Sequence, residues 1–307
     1  MADPKKITEA TSETVQRTLG PSFRINGIGG ESDVEEVNAA AFELYKEAGK
    51  VVSFAANLLD EAASAKGGWP RNQAICAGLI IRISKFMLVV VQLSAKRNRA
   101  EVVSALNRSI MESAINLEFL ASTNDDKFFD QFVKFSLGPE KELYDVIQAK
   151  IAARSGKVLP IEERMLKSIN NVCQASAVKI EDVDRKYGDW GGGIKERLKA
   201  LNKEELYLAL QRIPSHAVHG TWVDLIMNDL EHDSKTGVFR PHPEFSLVDA
   251  RLLGAPAIFA LEATKRYLER FFSGIPECKL LLERIDDLEH RIREAHRIHE
   301  ELLSKEE

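Results

Sequence analysis

Cysteine is scarce in this chain and never closely paired: Cys76, Cys173 and Cys278 are the three cysteines, far apart and outside any Cys-x-x-Cys spacing. Neither a disulfide framework nor a zinc site is expected from them, and a reducing compartment fits best. The chain also lacks a strong charge of either sign, with a formal net charge of -5 and a pI near 5.9. No global basic field draws it to nucleic acid, which leaves only a local basic patch for such binding. The first residues contain no apolar run able to form the core of a signal peptide, so a cytoplasmic protein is expected.

Ala74 to Ala95 comes closest to a membrane span, but Arg82 and Lys85 sit near its middle, each costing about 2.5 to 3.5 kcal/mol at a bilayer centre. It reads as a buried core helix, and no membrane partner is expected. Strand-like alternation of comparable strength is missing, as is any internal repeat. There is no Gly-x-Ser-x-Gly elbow, and Gly191 to Gly193 lack the preceding apolar strand and following Lys-Ser/Thr of a phosphate loop. Apolar residues at 44% and charged residues at 29% are ordinary for a globular protein, and 307 residues suffice for one main core with extensions.

What is present is helical periodicity. Residues 1–33 mix Thr, Ser and Lys with Gly20, Pro21, Gly27, Gly29 and Gly30 and read as a flexible N-terminal arm. A helical bundle is expected over 34–274. It starts at the N-cap Asp33 with a helix to about Lys66, stopped by Gly67 and Gly68. Pro70 opens a second helix, and Asn98 to Ser122 forms a third. Short helices are expected over 126–136, 139–154 and 160–177. A loop pinned by Trp190 follows, then a helix from Lys203 to Leu230 bent at Pro214, a loop to Glu244, and a helix from Leu247 to Phe272 with a second kink at Pro256.

Residues 275–307 form a separate amphipathic helix. Leu281, Ile285, Leu288, Ile292, Ala295, His299 and Leu302 alternate by four and three as in a coiled coil. This seam either joins two chains, giving a homo-oligomer, or folds back on the bundle. The fold class is therefore all-α, a multi-helix bundle with a C-terminal coiled-coil-like helix.

Two constellations could carry chemistry. Arg108, Glu112 and Asn116 follow at four-residue steps and make one polar stripe on the third helix, bordered by Ile115 and Phe119. A stripe hemmed in by apolar residues is expected to be buried, so that Glu112→Ala costs far more stability than Glu118→Ala; an exposed ion pair is the bland alternative. The second constellation gathers Tyr207, Arg212, Ser215, His216, His219 and Trp222 around the Pro214 bend. A histidine that merely packs there is the competing reading, and His216 lies on a neighbouring flank with no role assigned. No acidic residue stands at metal-ligand spacing from these histidines, so neither a metal nor another cofactor is expected.

The run Asn107-Arg108-Ser109-Ile110-Met111-Glu112, followed by Tyr207 and Ser215-His216-Ala217-Val218-His219-Gly220, resembles a family of bacterial helical proteins known only as a domain of unknown function. Its members pair an Arg-x-x-x-Glu helix with a later Tyr…Ser-x-x-x-His-Gly helix. The resemblance implies a fold and no activity. Arg212 followed by six residues and His219 is also similar to the signature of HEPN domains, helical modules that often act as metal-independent ribonucleases in toxin and phage-defence systems. That likeness implies His219 as the base for a ribose 2′-hydroxyl and Arg212 as the stabiliser of a charged phosphorane, with RNA as partner. HEPN nucleases place a polar residue directly after the Arg, where this chain has Ile213 and Pro214. Two readings follow: a self-associating helical scaffold or sensor with a buried Arg108, Glu112 and His219 network, and a HEPN-like ribonuclease.

Overall fold

The computed structural model describes residues 13–25, 33–58, 68–96, 98–184 and 190–306. Helix α1 spans Val34–Ala56. The Asp33 carboxylate accepts from the backbone N–H of Glu36 at 2.8 Å, and Glu35 and Glu36 complement the positive end of the helix. The helix ends at Asn57, short of Lys66, and Gly67 lies outside the described residues. In order there follow α2 (Arg71–Ser94), α3 (Ala100–Ser122), α4 (Lys127–Ser136), α5 (Gly138–Ala153), α6 (Pro160–Ser176), α7 (Gly193–Ala200), α8 (Ser215–His219) and α9 (Trp222–Asn228). The chain closes with α10 (Ala250–Phe271) and α11 (Pro276–Glu306).

Four helices make a ring in which α1 packs on α2, α2 on α3, α3 on α10, and α10 back on α1. Leu44, Ile80, Ile83, Met87, Ile110 and Leu117 fill its centre and are fully buried. Helix α2 buries one face only: a third of its most apolar window is inside the fold, while Arg82, Lys85, Leu88 and Val89 are exposed. By length and composition alone it is the one described helix that would suit a membrane span. The expectation of a buried core helix holds for one face only, because α1 and α3 cover only one side of it.

Helix α11 lies over the junction of α1 and α10. Leu281, Ile285, Leu288, Ile292, Ala295 and His299 are at most 3% exposed. Six of the seven seam positions are thus buried inside the chain, as in the fold-back alternative, and Leu302 is half-buried. An ionic clamp holds α11 there. The Arg291 guanidinium meets the Glu47 carboxylate of α1 at 2.8 Å, with side chains only 5% and 6% exposed, and Arg284 reaches the same carboxylate at 2.7 Å. Glu47 also accepts from the Phe23 backbone N–H at 2.9 Å, and Arg291 donates to the Phe23 carbonyl at 2.7 Å.

That clamp also corrects the reading of the N-terminal arm. Residues 13–19 are helical, and Val15 and Leu19, one turn apart on one face, are buried in the main core. The described part of the arm is docked, because an apolar pair and a buried carboxylate hold it down.

Two further expectations change between Lys203 and Glu244. The single bent helix is broken into a 3-10 turn at Glu204–Leu206, a π turn at Leu208–Arg212, and α8 and α9. Pro214 has no N–H to continue a helix, and Gly220, at φ 55°, ends α8 in the left-handed region. Beyond α9 the expected loop is a small antiparallel hairpin, β1 (Leu230–Asp233) on β2 (Val238–Pro241), with Leu230 opposite Pro241 and Asp233 opposite Val238. Its turn is set by Asp233, whose Oδ1 accepts from the N–H groups of Lys235 and Thr236.

The helices α4 to α6 stand beside the bundle on a small core of their own, built from Val133, Leu137, Ile169, Cys173, Ile180 and Val183. Trp190 anchors the loop that leads back, as expected. It is 4% exposed, stacks edge-on with Phe119 and Phe132, and has the Arg197 guanidinium 4.0 Å over its ring. Phe119 is buried in this way, and the C-terminal half of α3 is enclosed on all sides.

Candidate ligand-binding groove

The N-terminal half of α3 is enclosed differently. Across it lies a cover formed by the π turn, α8 and α9, and on its far side begins α10. The loop before α10 is strapped to the start of α3: the N–H groups of Arg99 and Ala100 donate to the Ser246 carbonyl at 3.0 and 3.2 Å, and the Ser246 N–H donates to Glu101 Oε1 at 2.8 Å. Between α3, the cover and α10 remains a groove of about 570 Å³, within the range of small-molecule sites. Its walls are mainly apolar, with Met111, Leu210, Val223, Met227 and Leu252 prominent.

Asn107 sits in this groove and is 3% exposed. Its position follows from a proline on the facing helix. Pro256 is inside α10 and has no N–H, so the carbonyl of Leu252, one turn earlier, lacks its usual helical donor. Asn107 Nδ2 supplies one at 2.6 Å. That bond fixes which way the amide points and leaves Asn107 Oδ1 buried with no hydrogen-bond partner. Glu101, on the same wall, is in a similar state: Oε1 is spent on Ser246, and Oε2 is buried and unpartnered. Buried polar atoms of this kind are uncommon in folded proteins and costly, at about 1 to 3 kcal/mol each.

Most of the other polar side chains of the groove have partners. His216 Nδ1 lies 2.6 Å from Thr221 Oγ1, Asn228 Nδ2 donates to Asp224 at 2.9 Å, and Arg251 pairs with Asp249, which also caps α10. Among the described residues no group of His, Cys, Asp and Glu side chains is arranged to hold a metal ion.

The residues singled out from the sequence fall around this groove without forming its lining. Arg108 Nη1 donates to Glu112 Oε2 at 2.6 Å, but the two side chains are 20% and 46% exposed. The stripe is therefore paired and half-open, not buried, because the cover does not reach round to that flank of α3. Asn116, at the enclosed end, is buried with Oδ1 unpartnered. Tyr207 and Ser215 are half-buried, and Arg212 and His219 are exposed. Helix α8 does pack against α3, yet no hydrogen bond joins His219 to Arg108 or Glu112. The histidine that lines the groove is His216.

Sequence reasoning passed over Glu101, Asn107 and Asp224 and left His216 without a role. Only Asn107 had a readable signal, since it opens the quoted motif and an interior proline four residues beyond Leu252 announces a carbonyl in need of a donor.

A second polar centre lies at the other end of α3. Lys203 Nζ bridges Glu118 and Glu262 at 2.6 and 2.8 Å, with side chains 17%, 7% and 23% exposed. Burial pushes the Glu118 carboxyl above the usual carboxylate range, against the pull of Lys203. The three thiols are free and buried, and burial pushes Cys76 up to about 12, out of reach as a nucleophile.

The fold and groove together define an all-helical bundle with a covered, largely apolar cleft at one end. The chain belongs to the family of unknown function DUF5677, whose model matches residues 73–237. The matched span contains the α3 wall and the cover, while the α10 wall with Asp249, Leu252 and Pro256 lies beyond it. No curated protein and no solved structure matches the chain.

Proposed function

We propose that the protein is a sensor module that binds a small molecule in the groove between α3, α10 and the α8–α9 cover. The observation that carries this reading is the pair of buried, unpartnered oxygens on Glu101 and Asn107 in a cleft of small-molecule size. A cleft that existed only for packing would be expected to collapse or to satisfy its polar atoms internally. The cover supports a sensing role, because Leu210 and Val248 are the only buried apolar side chains described between residues 203 and 249. A segment with so few core anchors opens at low free-energy cost, and a ligand that contacts it shifts its population.

The test is a ligand-observed NMR screen of small fragments on the wild-type protein and on Ala217→Trp, which places an indole in the groove. Hits that are lost in the variant support the reading; a hit list unchanged by the plug removes it. The ribonuclease alternative predicts cleavage of single-stranded RNA in EDTA that disappears in His219→Ala and weakens severely in Arg212→Ala, with His216→Ala unaffected. That pattern would replace the sensor reading.

A further inference from the structure

We propose that the groove selects an amphiphilic amine, an apolar body carrying a protonated primary amino head, with the head seated between Glu101 Oε2 and Asn107 Oδ1. This deepens the ligand-binding reading and rests on it. The argument is one of hydrogen-bond valence. The two amide donors of the described wall are used, Asn107 Nδ2 on the Leu252 carbonyl and Asn228 Nδ2 on Asp224, the Arg251 guanidinium donates to Asp249, and Ser104 adds a hydroxyl that can accept as well as donate. The two oxygens left over are both acceptors.

A ligand that brings only acceptors, such as a carboxylate or phosphate, would leave both oxygens unsatisfied and would meet the Glu101 carboxylate with like charge. A plain hydrocarbon or ether would fill the apolar wall but leave both oxygens dry. An ammonium group has three N–H donors and no acceptor, which is the complement of what the wall presents.

Charge acts in the same direction. Glu101, Asp224 and Asp249 are the carboxylates of the groove, and Arg251, its only arginine or lysine, is paired with Asp249. The uncompensated charge facing the cavity is negative. Met111, Leu210, Val223, Met227 and Leu252 then require the remainder of the ligand to be apolar, and the two methionines adapt readily to its shape. A hydrogen bond between charged partners is shorter and roughly twice as strong as a neutral one, so the head at Glu101 sets the selectivity while the apolar body sets the affinity.

The experiment compares decylamine, decanol and decanoate at neutral pH, each below its micelle concentration, by isothermal titration calorimetry on the full chain. Decylamine is expected to bind at least tenfold more tightly than decanol, with decanoate weakest. Glu101→Gln keeps the Oε1 acceptor for Ser246 and the shape of the wall. It is expected to weaken decylamine at least tenfold and to leave decanol unchanged. Asp224→Asn is the second variant, with a smaller effect in the same direction, and thermal melts confirm that both fold.

Equal affinities for the three probes, or an amine preference that survives Glu101→Gln, would overturn the amine assignment while leaving a groove that binds small molecules. The assignment would equally fail if none of the three bound while fragments sensitive to Ala217→Trp did. Absence of binding by probes and fragments alike would overturn both proposals.

Discussion

Glu112 and Glu118 stand on the same helix, and local pattern ranks them in the wrong order. Glu112 has an arginine one turn earlier and apolar neighbours on both flanks, which in the sequence looks like a buried pair. Glu118 looks like a solvated end. The structure reverses this, because Lys203, 85 residues further on, folds over Glu118 while Glu112 stays 46% exposed. Removing one partner of a buried pair costs about 3 to 5 kcal/mol, and an exposed pair contributes at most about 1. Lys203 keeps Glu262 when Glu118 is lost, so Glu118→Ala is expected to cost about 2 to 3 kcal/mol and Glu112→Ala under about 1. Urea unfolding of the two variants compares them directly, and equal small losses would show that Lys203 is effectively solvated.

Glu289 gives a second residue-scale prediction. It lies on α11, its Oε1 is buried without a partner, and burial, with Glu262 adding repulsion, pushes its carboxyl up to about 7. Lys265 and Arg293 pull it down, and Asp286 pushes it further up. A carboxyl raised in the fold favours the native state while protonated. Its contribution is present below the ordinary value of 4.5 and is lost as the pH rises through about 7. Glu289→Gln should therefore raise the melting temperature at pH 8 and change it little at pH 4.5. A shift of equal size at both values would contradict the assignment.

At the scale of elements, the long helices were legible because each combines a start signal, a 3.6-residue apolar period and a stop. What sequence periodicity did not reveal is which neighbour each apolar face meets. The seam of α11 has the spacing of a coiled coil, yet its partners are α1 and α10 of the same chain. Truncation after Gly274 is accordingly expected to expose the faces of α1 and α10 and release the Glu47 clamp. Cooperative thermal unfolding followed by circular dichroism should then be lost; a truncated chain that melts like the full one would show that α11 adds nothing to the core.

The cover was the least legible element. Pro214 and Gly220 were visible, but an interior proline reads equally as a bend or a break, and only the π turn and left-handed Gly220 decide between them. Few apolar anchors and short elements predict that amides of residues 207–247 exchange with solvent well before those of α3 and α10. Hydrogen-exchange mass spectrometry reads this, and protection equal to that of the ring helices would remove the cover as a moving part.

For the molecule as a whole, composition and periodicity fixed the all-α class and placed the boundary helices, while the groove stayed hidden. The reason is that it is assembled from residues near 101–111, 209–228 and 249–256, and none of these stretches alone shows the cleft that the three enclose. Reactive side chains at short spacing point to Arg108, Glu112, Arg212 and His219, none of which lines the groove. The groove is instead marked by atoms that lack partners, a property that no single sequence displays.

The proline inside α10 bears on how such a protein can change. Replacing Pro256 by alanine would return a backbone N–H to the helix and give the Leu252 carbonyl its ordinary partner, a local gain in a position where an interior proline typically costs about 3 kcal/mol. The same change would release the Asn107 amide, which could then turn and bury its oxygen against some other donor. A sturdier α10 and an undirected Asn107 would arrive together, in one substitution. Thermal robustness and the recognition proposed above therefore pull on this single position in opposite directions.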